Sequence, residues 1–167
     1  MEPLVDCIIE DSRWEAMGLD DLCQIAARAT FHHLNLPEQG LTLCVLACDD
    51  TRIAALNADF RGKPQPTNVL SWPSEDRAPD TPGAEPQPVE AGTADDPEEL
   101  GDVALAYETC AREAAEADKP FSAHVTHLIV HGLLHLLGYD HIDDADAEVM
   151  EAHEVAILES LGLDNPY

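Results

Sequence analysis

The sequence predicts an α+β fold, a single domain in which a small mixed β-sheet is packed with helices and a metal-binding helix lies near the C-terminus. Three observations carry this. The chain has 167 residues, the size of one compact domain with room for a substantial core. Short apolar or alternating runs of strand length recur along it. Longer runs with apolar residues at helical spacing stand between and after them, and that order of elements is the α+β one.

Leu4 to Ile9 alternates weakly and reads as a first strand. From Leu19 to His33 the apolar positions Leu22, Ile25, Ala26 and Ala29 mark an amphipathic helix, with Asp20 and Asp21 at its positive N-terminal end. His32 and His33 read as charges at its C-terminal end. Leu41 to Ala47 is apolar apart from Thr42, as in a strand buried on both faces. Asp49 or Thr51 opens a helix whose apolar residues are Ile53, Leu56 and Phe60, and Gly62 ends it. Val69 to Trp72 is a further strand, halted by Pro73.

Residues 74–99 differ in kind. Five prolines fall between Pro79 and Pro97, and residues 75–99 carry nine acids and one arginine. The expectation is a flexible, solvated surface loop within the domain 1–167. Leu100 to Ala106 then returns to strand character, and Tyr107 to Ala117 to helix. A helix begins at Pro120 and bears the histidines. A last one is capped by Asp143 or Asp144, carries a partial stripe of Val149, Ala152, Ala156 and Leu158, and ends at Gly162.

Composition narrows the function. The 45% hydrophobic share is that of a globular chain. The acidic opening MEPLVD has neither the basic nor the apolar region of an export signal, and no run has the length of a membrane span. A cytoplasmic protein without membrane contact is expected. Five cysteines, an odd number with no CxxC, read as reduced and mostly buried thiols. The net charge of −26 argues against indiscriminate binding to nucleic acid, which draws its affinity from Lys and Arg. The charge is uneven, however. Arg52, Arg61 and Lys63 are three of only eight basic residues, and none follows residue 120, so a bound divalent metal would be the main positive charge of that half.

The chemistry concentrates in residues 131–141, HGLLHLLGYDH. His131 and His135 are four apart, on one face of a helix and close enough to share an ion. Gly138 stands where a glycine stops a helix, which lets the chain fold back and bring His141 to the same ion. Three neutral imidazoles with a fourth position open is the pattern of a catalytic zinc site, one Zn²⁺ per chain. A lone apolar-face histidine is more often a packed core residue, and it is the third one beyond the glycine that favours metal. His127 shares the face and could also ligate, but His141 closes a tighter three-point site, which leaves His127 to support or packing.

These residues resemble the signature of the YbeY family, metal-dependent endoribonucleases of bacterial ribosomal RNA maturation. The resemblance extends to Asn57, to Phe60 with the RGK of 61–63, to PTNVLSWP at 66–73, to LGDV at 100–103 and to EVAILESLGL at 154–163. It covers most of the chain outside 74–99, where the resemblance implies a shorter connection, so that 74–99 is expected to be a flexible acidic, proline-rich surface insertion. What it implies is a single-strand-specific endoribonuclease acting in ribosomal RNA maturation, at the 16S 3′ end of the small subunit, and in ribosome quality control. The substrate would be ribosomal RNA, delivered within the small subunit given the acidic surface.

Zinc lowers the pKa of bound water from 15.7 to about 7 and neutralises an oxygen gaining charge, which suits hydrolysis of a phosphodiester or an amide. A zincin-type peptidase needs HExxH, and here Gly132 occupies the Glu position. A nuclease needs a cation for the phosphate. Arg61 is the candidate, since guanidinium binds two phosphate oxygens at once. The family's RGK favours this over an ordinary helix-end arginine. The catalytic residues are then Arg61 and His131, with His131, His135 and His141 as ligands. Lys63 is a weaker phosphate contact, Asp102 orients a ligand, contacts a partner or ends a strand, and Asp140 supports a ligand or caps the turn. Asn68 stands where the family more often has Asp and receives no catalytic role. Tyr139 is expected under the turn. The alternatives are a metallopeptidase-like hydrolase and a ribosome-assembly factor with a purely structural metal.

Overall fold

The computed structural model describes residues 4–167, so that residues 1–3 of the acidic opening run lie outside it. The elements are β1 (Val5–Ile9), α1 (Arg13–Ala16), α2 (Leu19–His33), β2 (Leu41–Cys48), α3 (Asp50–Arg61), β3 (Val69–Pro73), β4 (Glu98–Ala106), α4 (Tyr107–Glu116), α5 (Phe121–Leu136) and α6 (Asp144–Ser160). The sheet runs β1-β2-β4-β3. β1 pairs with β2 and β2 with β4 in parallel, while β3 lies antiparallel to β4 at the edge. This is the mixed sheet of an α+β domain. No helix among the described residues is long and apolar enough to cross a membrane.

The main core lies on one face of the sheet. Leu43, Val45, Val103 and Leu105 point into it and meet Ala27 and Phe31 of α2 and Ile129 and Leu133 of α5, all buried. Expectation and structure part at β2. Its alternate residues Leu41, Leu43, Val45 and Ala47 are buried, but Thr42, Cys44 and Leu46 on the other face are only half-buried. The cause is α3, which covers one end of that second face through a small cluster of Cys48, Ile53, Leu70, Ala104 and Ala106. At the other end Asp6, Cys44 and Asp102 stand in register across three strands and line an open cavity of about 290 Å³.

Two further details depart from the sequence reading. The short α1 was not foreseen. Its Trp14 is fully buried and donates its indole N–H to Cys48 O at 2.9 Å, so it is a single anchor with no periodic pattern around it. In α6 the buried positions are Met150, Glu154, Ile157 and Leu158, a stripe rotated from the expected one, with a carboxylate in its middle. The caps follow expectation. Asp49 and Asp143 each accept a backbone N–H of the first turn, from Arg52 and Ala145.

Segment 74–97 holds no helix or strand, and β4 begins at Glu98, two residues earlier than the apolar pattern indicated. The segment is nevertheless fastened to the body. Arg77, 5% exposed, donates to Leu136 O at the end of α5 (3.1 Å) and lies 3.6 Å from Glu98. Gly83 N donates to Asp146, and Glu85 accepts from the Tyr139 hydroxyl at 2.7 Å. Glu85 also meets His153, whose Nδ1 lies 2.9 Å from His33 Nε2. His33 is therefore tied to α6 across the fold and does not simply end its own helix.

Candidate functional site

Helix α5 carries His131 and His135 on adjacent turns, both half-buried at the edge strand β3. The helix ends at Leu136, Leu137 caps it, and Gly138 takes φ +107°, a conformation costly for any residue with a side chain. The turn it makes returns Tyr139 under α5, where its backbone oxygen accepts from His135 Nδ1 at 3.0 Å. It also brings Asp140, His141 and Ile142 to the same side as the helical histidines. On the far wall stands the end of α3, with Phe60 and Arg61. Arg61, Trp72, His131, His135 and His141 thus share one cavity of about 410 Å³.

The donor set fits a metal through its hydrogen bonds. His131 Nδ1 lies 2.5 Å from Glu154 Oε1, and His135 Nδ1 is taken by the Tyr139 carbonyl. Each ring's Nε2 makes no hydrogen bond among the described residues, and a ligating histidine is commonly held in this way, with its other nitrogen on a carboxylate or carbonyl. Burial lowers the pKa of His135, helped by His131 and His141 and opposed by Asp140 and the Tyr139 carbonyl, a shift toward the neutral ring that a ligand needs. Zn–N bonds of ~2.0–2.1 Å in a tetrahedron put imidazole centroids about 5 Å apart. His131 and His141 are 5.2 Å apart by that measure, and His135 and His141 are 6.4 Å apart. As the side chains stand, no three His, Cys, Asp or Glu among the described residues converge tightly enough to hold an ion. His141, with its side chain 56% exposed, has the freedom to close that gap.

Glu154 is the residue the sequence reading missed. It is fully buried on α6 and accepts from His131 Nδ1, His127 Nε2 (3.1 Å) and the Tyr167 hydroxyl. Burial pushes its pKa up, but the three donors outweigh that and hold it at about 2. His127 is thereby accounted for as a partner of Glu154, away from the cavity.

The other candidates divide. Asp140 lines the cavity, and its Oδ1 accepts the His141 N–H at 2.7 Å and lies 3.8 Å from His141 Nδ1. Lys63 is exposed just beyond α3 and is not part of the cavity wall. Asp102 lines the separate cavity on the open sheet face, so it does not orient a histidine. Asn68 bridges the Glu113 carboxylate and the backbone N–H of Val69, a structural role. Tyr139 is buried under the turn as expected. All five cysteines are free, and burial, joined by Asp102 and Asp6, raises Cys44, one of the two that are only half-buried, to about 11, which keeps the thiol protonated.

The side chains of Arg13, Arg52 and Arg77 lie against carboxylates. No side-chain ion pair or hydrogen bond of Arg61 or Lys63 occurs among the described residues. Arg61 is exposed at the helix end, where Gly62 and not the guanidinium receives the last turn. The cation facing the histidines is therefore available to an anion.

Comparisons with known proteins give the family of the chain. The family model described as Endoribonuclease YbeY matches residues 8–162. A Cereibacter sphaeroides protein of that name is 59% identical over 167 residues, covering all of both chains and therefore segment 74–99 as well. One from Dinoroseobacter shibae is 59% identical over 165 residues, 98% of this chain and 90% of the other. The solution structure of a Thermotoga maritima protein superposes with a TM-score of 0.56 at 18% identity, covering 95% of this chain and 91% of that one, a likeness of fold. With the match running from β1 to the end of α6, the chain belongs to the endoribonuclease YbeY family.

Proposed function

We propose that the protein is a zinc-dependent endoribonuclease that cleaves single-stranded regions of ribosomal RNA during maturation of the 16S 3′ end, with a part in ribosome quality control. The nuclease class is that of its family. The observation that carries the metal-dependent reading is the pairing of two imidazoles, each with Nδ1 occupied and Nε2 free, with an unpaired arginine across one cavity. His131, His135 and His141 would hold the ion. Bound there, zinc supplies Lewis acidity and a water that ionises near neutral pH.

The chain's own residues do the rest. Glu154 and the Tyr139 carbonyl fix the tautomer and orientation of the two helical rings. Arg61 grips two non-bridging oxygens of the scissile phosphate and offsets the charge they gain as the P–O bond breaks. Lys63, two residues further and beyond the helix, adds long-range attraction for the strand. The peptidase alternative gains nothing from the geometry. A Cβ at Gly132 would meet Val103 at 3.1 Å, so this position faces the sheet and could not offer a base to the cavity.

Two linked measurements test the proposal. Elemental analysis of the protein purified without added metal is expected to give about one zinc per chain, lost in His131→Ala, His135→Ala and His141→Ala. Arg61→Ala is expected to keep fold and zinc while RNA cleavage falls by 10²-fold or more, the scale of losing one transition-state donor. A well-folded wild type without metal would overturn the zinc reading. An Arg61→Ala protein that still supports ribosomal RNA processing at the wild-type rate would leave the metal a structural staple.

A further inference from the structure

Helix α3 contains an anomaly. The sequence pattern puts Ile53, Leu56 and Phe60 on one core-facing stripe. Ile53 is fully buried and Leu56 half-buried, yet Phe60 is 63% exposed. Its ring lies 5.1 Å from that of Trp72 on the edge strand, tilted by 60°, and no third aromatic among the described residues stacks on the pair. Both rings line the cavity that holds Arg61 and the three histidines. Ile142, 87% exposed, stands at the same cavity beyond His141. Two of the large exposed apolar residues of the described chain thus sit at one charged cleft, which a merely solvated surface has no reason to gather.

We propose that Phe60 and Trp72 form an aromatic platform on which an unpaired nucleobase beside the scissile phosphate of single-stranded RNA stacks. The inference rests on the ribonuclease reading and adds the part of the substrate that the metal and Arg61 do not touch. Phe60 and Arg61 line the same cavity, so a phosphate on the guanidinium brings its own nucleotide's base within reach of the ring. Every base has a π-face, so the platform accepts single strands with little regard to sequence and refuses a duplex, whose bases are already stacked. The neighbouring cation selects a polyanion over an apolar peptide as occupant.

The test uses zinc-loaded protein and a single-stranded RNA oligonucleotide, with Phe60→Ala, Phe60→Tyr, and Ile25→Ala as an exposed apolar control on α2. Phe60→Ala is expected to raise KM about tenfold, with most of the loss in KM and not kcat, while Phe60→Tyr restores it and Ile25→Ala matches wild type. The penalty should vanish on an oligonucleotide with abasic nucleotides flanking the cleaved bond. Stopped-flow fluorescence gives a readout without turnover. Trp14 is buried, so RNA should quench Trp72, and Trp72→Phe should abolish the quench. A Phe60→Ala protein with wild-type KM, or with the same penalty on the abasic RNA, overturns the platform, the second result meaning that Phe60 only shapes the cleft or seats a peptide side chain. A wild type that cleaves no single-stranded RNA defeats the ribonuclease reading and the platform together, whereas cleavage indifferent to Phe60 defeats the platform alone.

Discussion

Glu154 shows how one buried carboxylate can govern a site it never enters. It takes N–H groups from His131 and His127 and the Tyr167 hydroxyl, so His131 is locked in one tautomer and one orientation. Glu154→Gln keeps the shape but removes the charge and one acceptor. Zinc affinity is expected to fall 10- to 100-fold, measured by competition against a chromophoric chelator, with secondary structure intact by circular dichroism. Unchanged affinity would mean that the helix alone aims His131. The histidines were legible in sequence because the 3.6-residue period puts positions four apart on one face. Glu154 was not, because its partners lie 23 and 27 residues away and the contact exists only once α6 packs on α5. A trace was present, a carboxylate at the centre of the apolar positions Met150, Ile157 and Leu158. Phe60 is the converse case, since helical spacing assigned it to the core and only the edge position of β3 explains why it stays open.

Among the elements, α5 depends on what holds its C-terminal end. The last carbonyls of a helix have no partner within it, and Arg77 supplies one for Leu136 from the segment joining β3 to β4. A charged hydrogen bond in a buried setting contributes about 1.5–3 kcal/mol. Arg77→Met, which keeps the apolar stem, is expected to destabilise the protein by ~2 kcal/mol and lower Tm by about 4–8 °C in calorimetry. The change should also weaken zinc binding, because His135 and the turn to His141 sit on that end. A Tm within a degree of wild type would show that water replaces the guanidinium without cost. Helix and strand positions were readable from caps and periodicity, since Asp49, Gly62, Asp143 and Gly138 act locally. The half-open face of β2 was not, because which face a helix covers is decided by α3 packing across the sheet.

Over the whole molecule, charge sets the terms of encounter. A chain of net −26 with two unpaired cations near its cleft cannot hold RNA by electrostatics. Free single-stranded RNA should bind with a slope of log K against log salt no steeper than about −1.4, two phosphates at ~0.7 each. Pre-ribosomal particles should bind more tightly than the naked strand at equal salt. A slope of −4 or beyond, or equal affinity for naked RNA, would mean that a further basic surface takes part. Composition made residues 74–99 readable as a solvated segment without helix or strand, but their docking depends on single contacts that composition does not encode. A Cβ at Gly138 would strike Arg77 O at 2.4 Å and Pro86 Cβ at 2.7 Å. The turn that delivers His141 and the loop that lies on it are therefore moulded to each other, and neither can be exchanged alone. A shorter connection put in its place would leave the glycine turn without its covering, and a bulkier turn would evict the loop. The two should be inherited, and re-engineered, as one part.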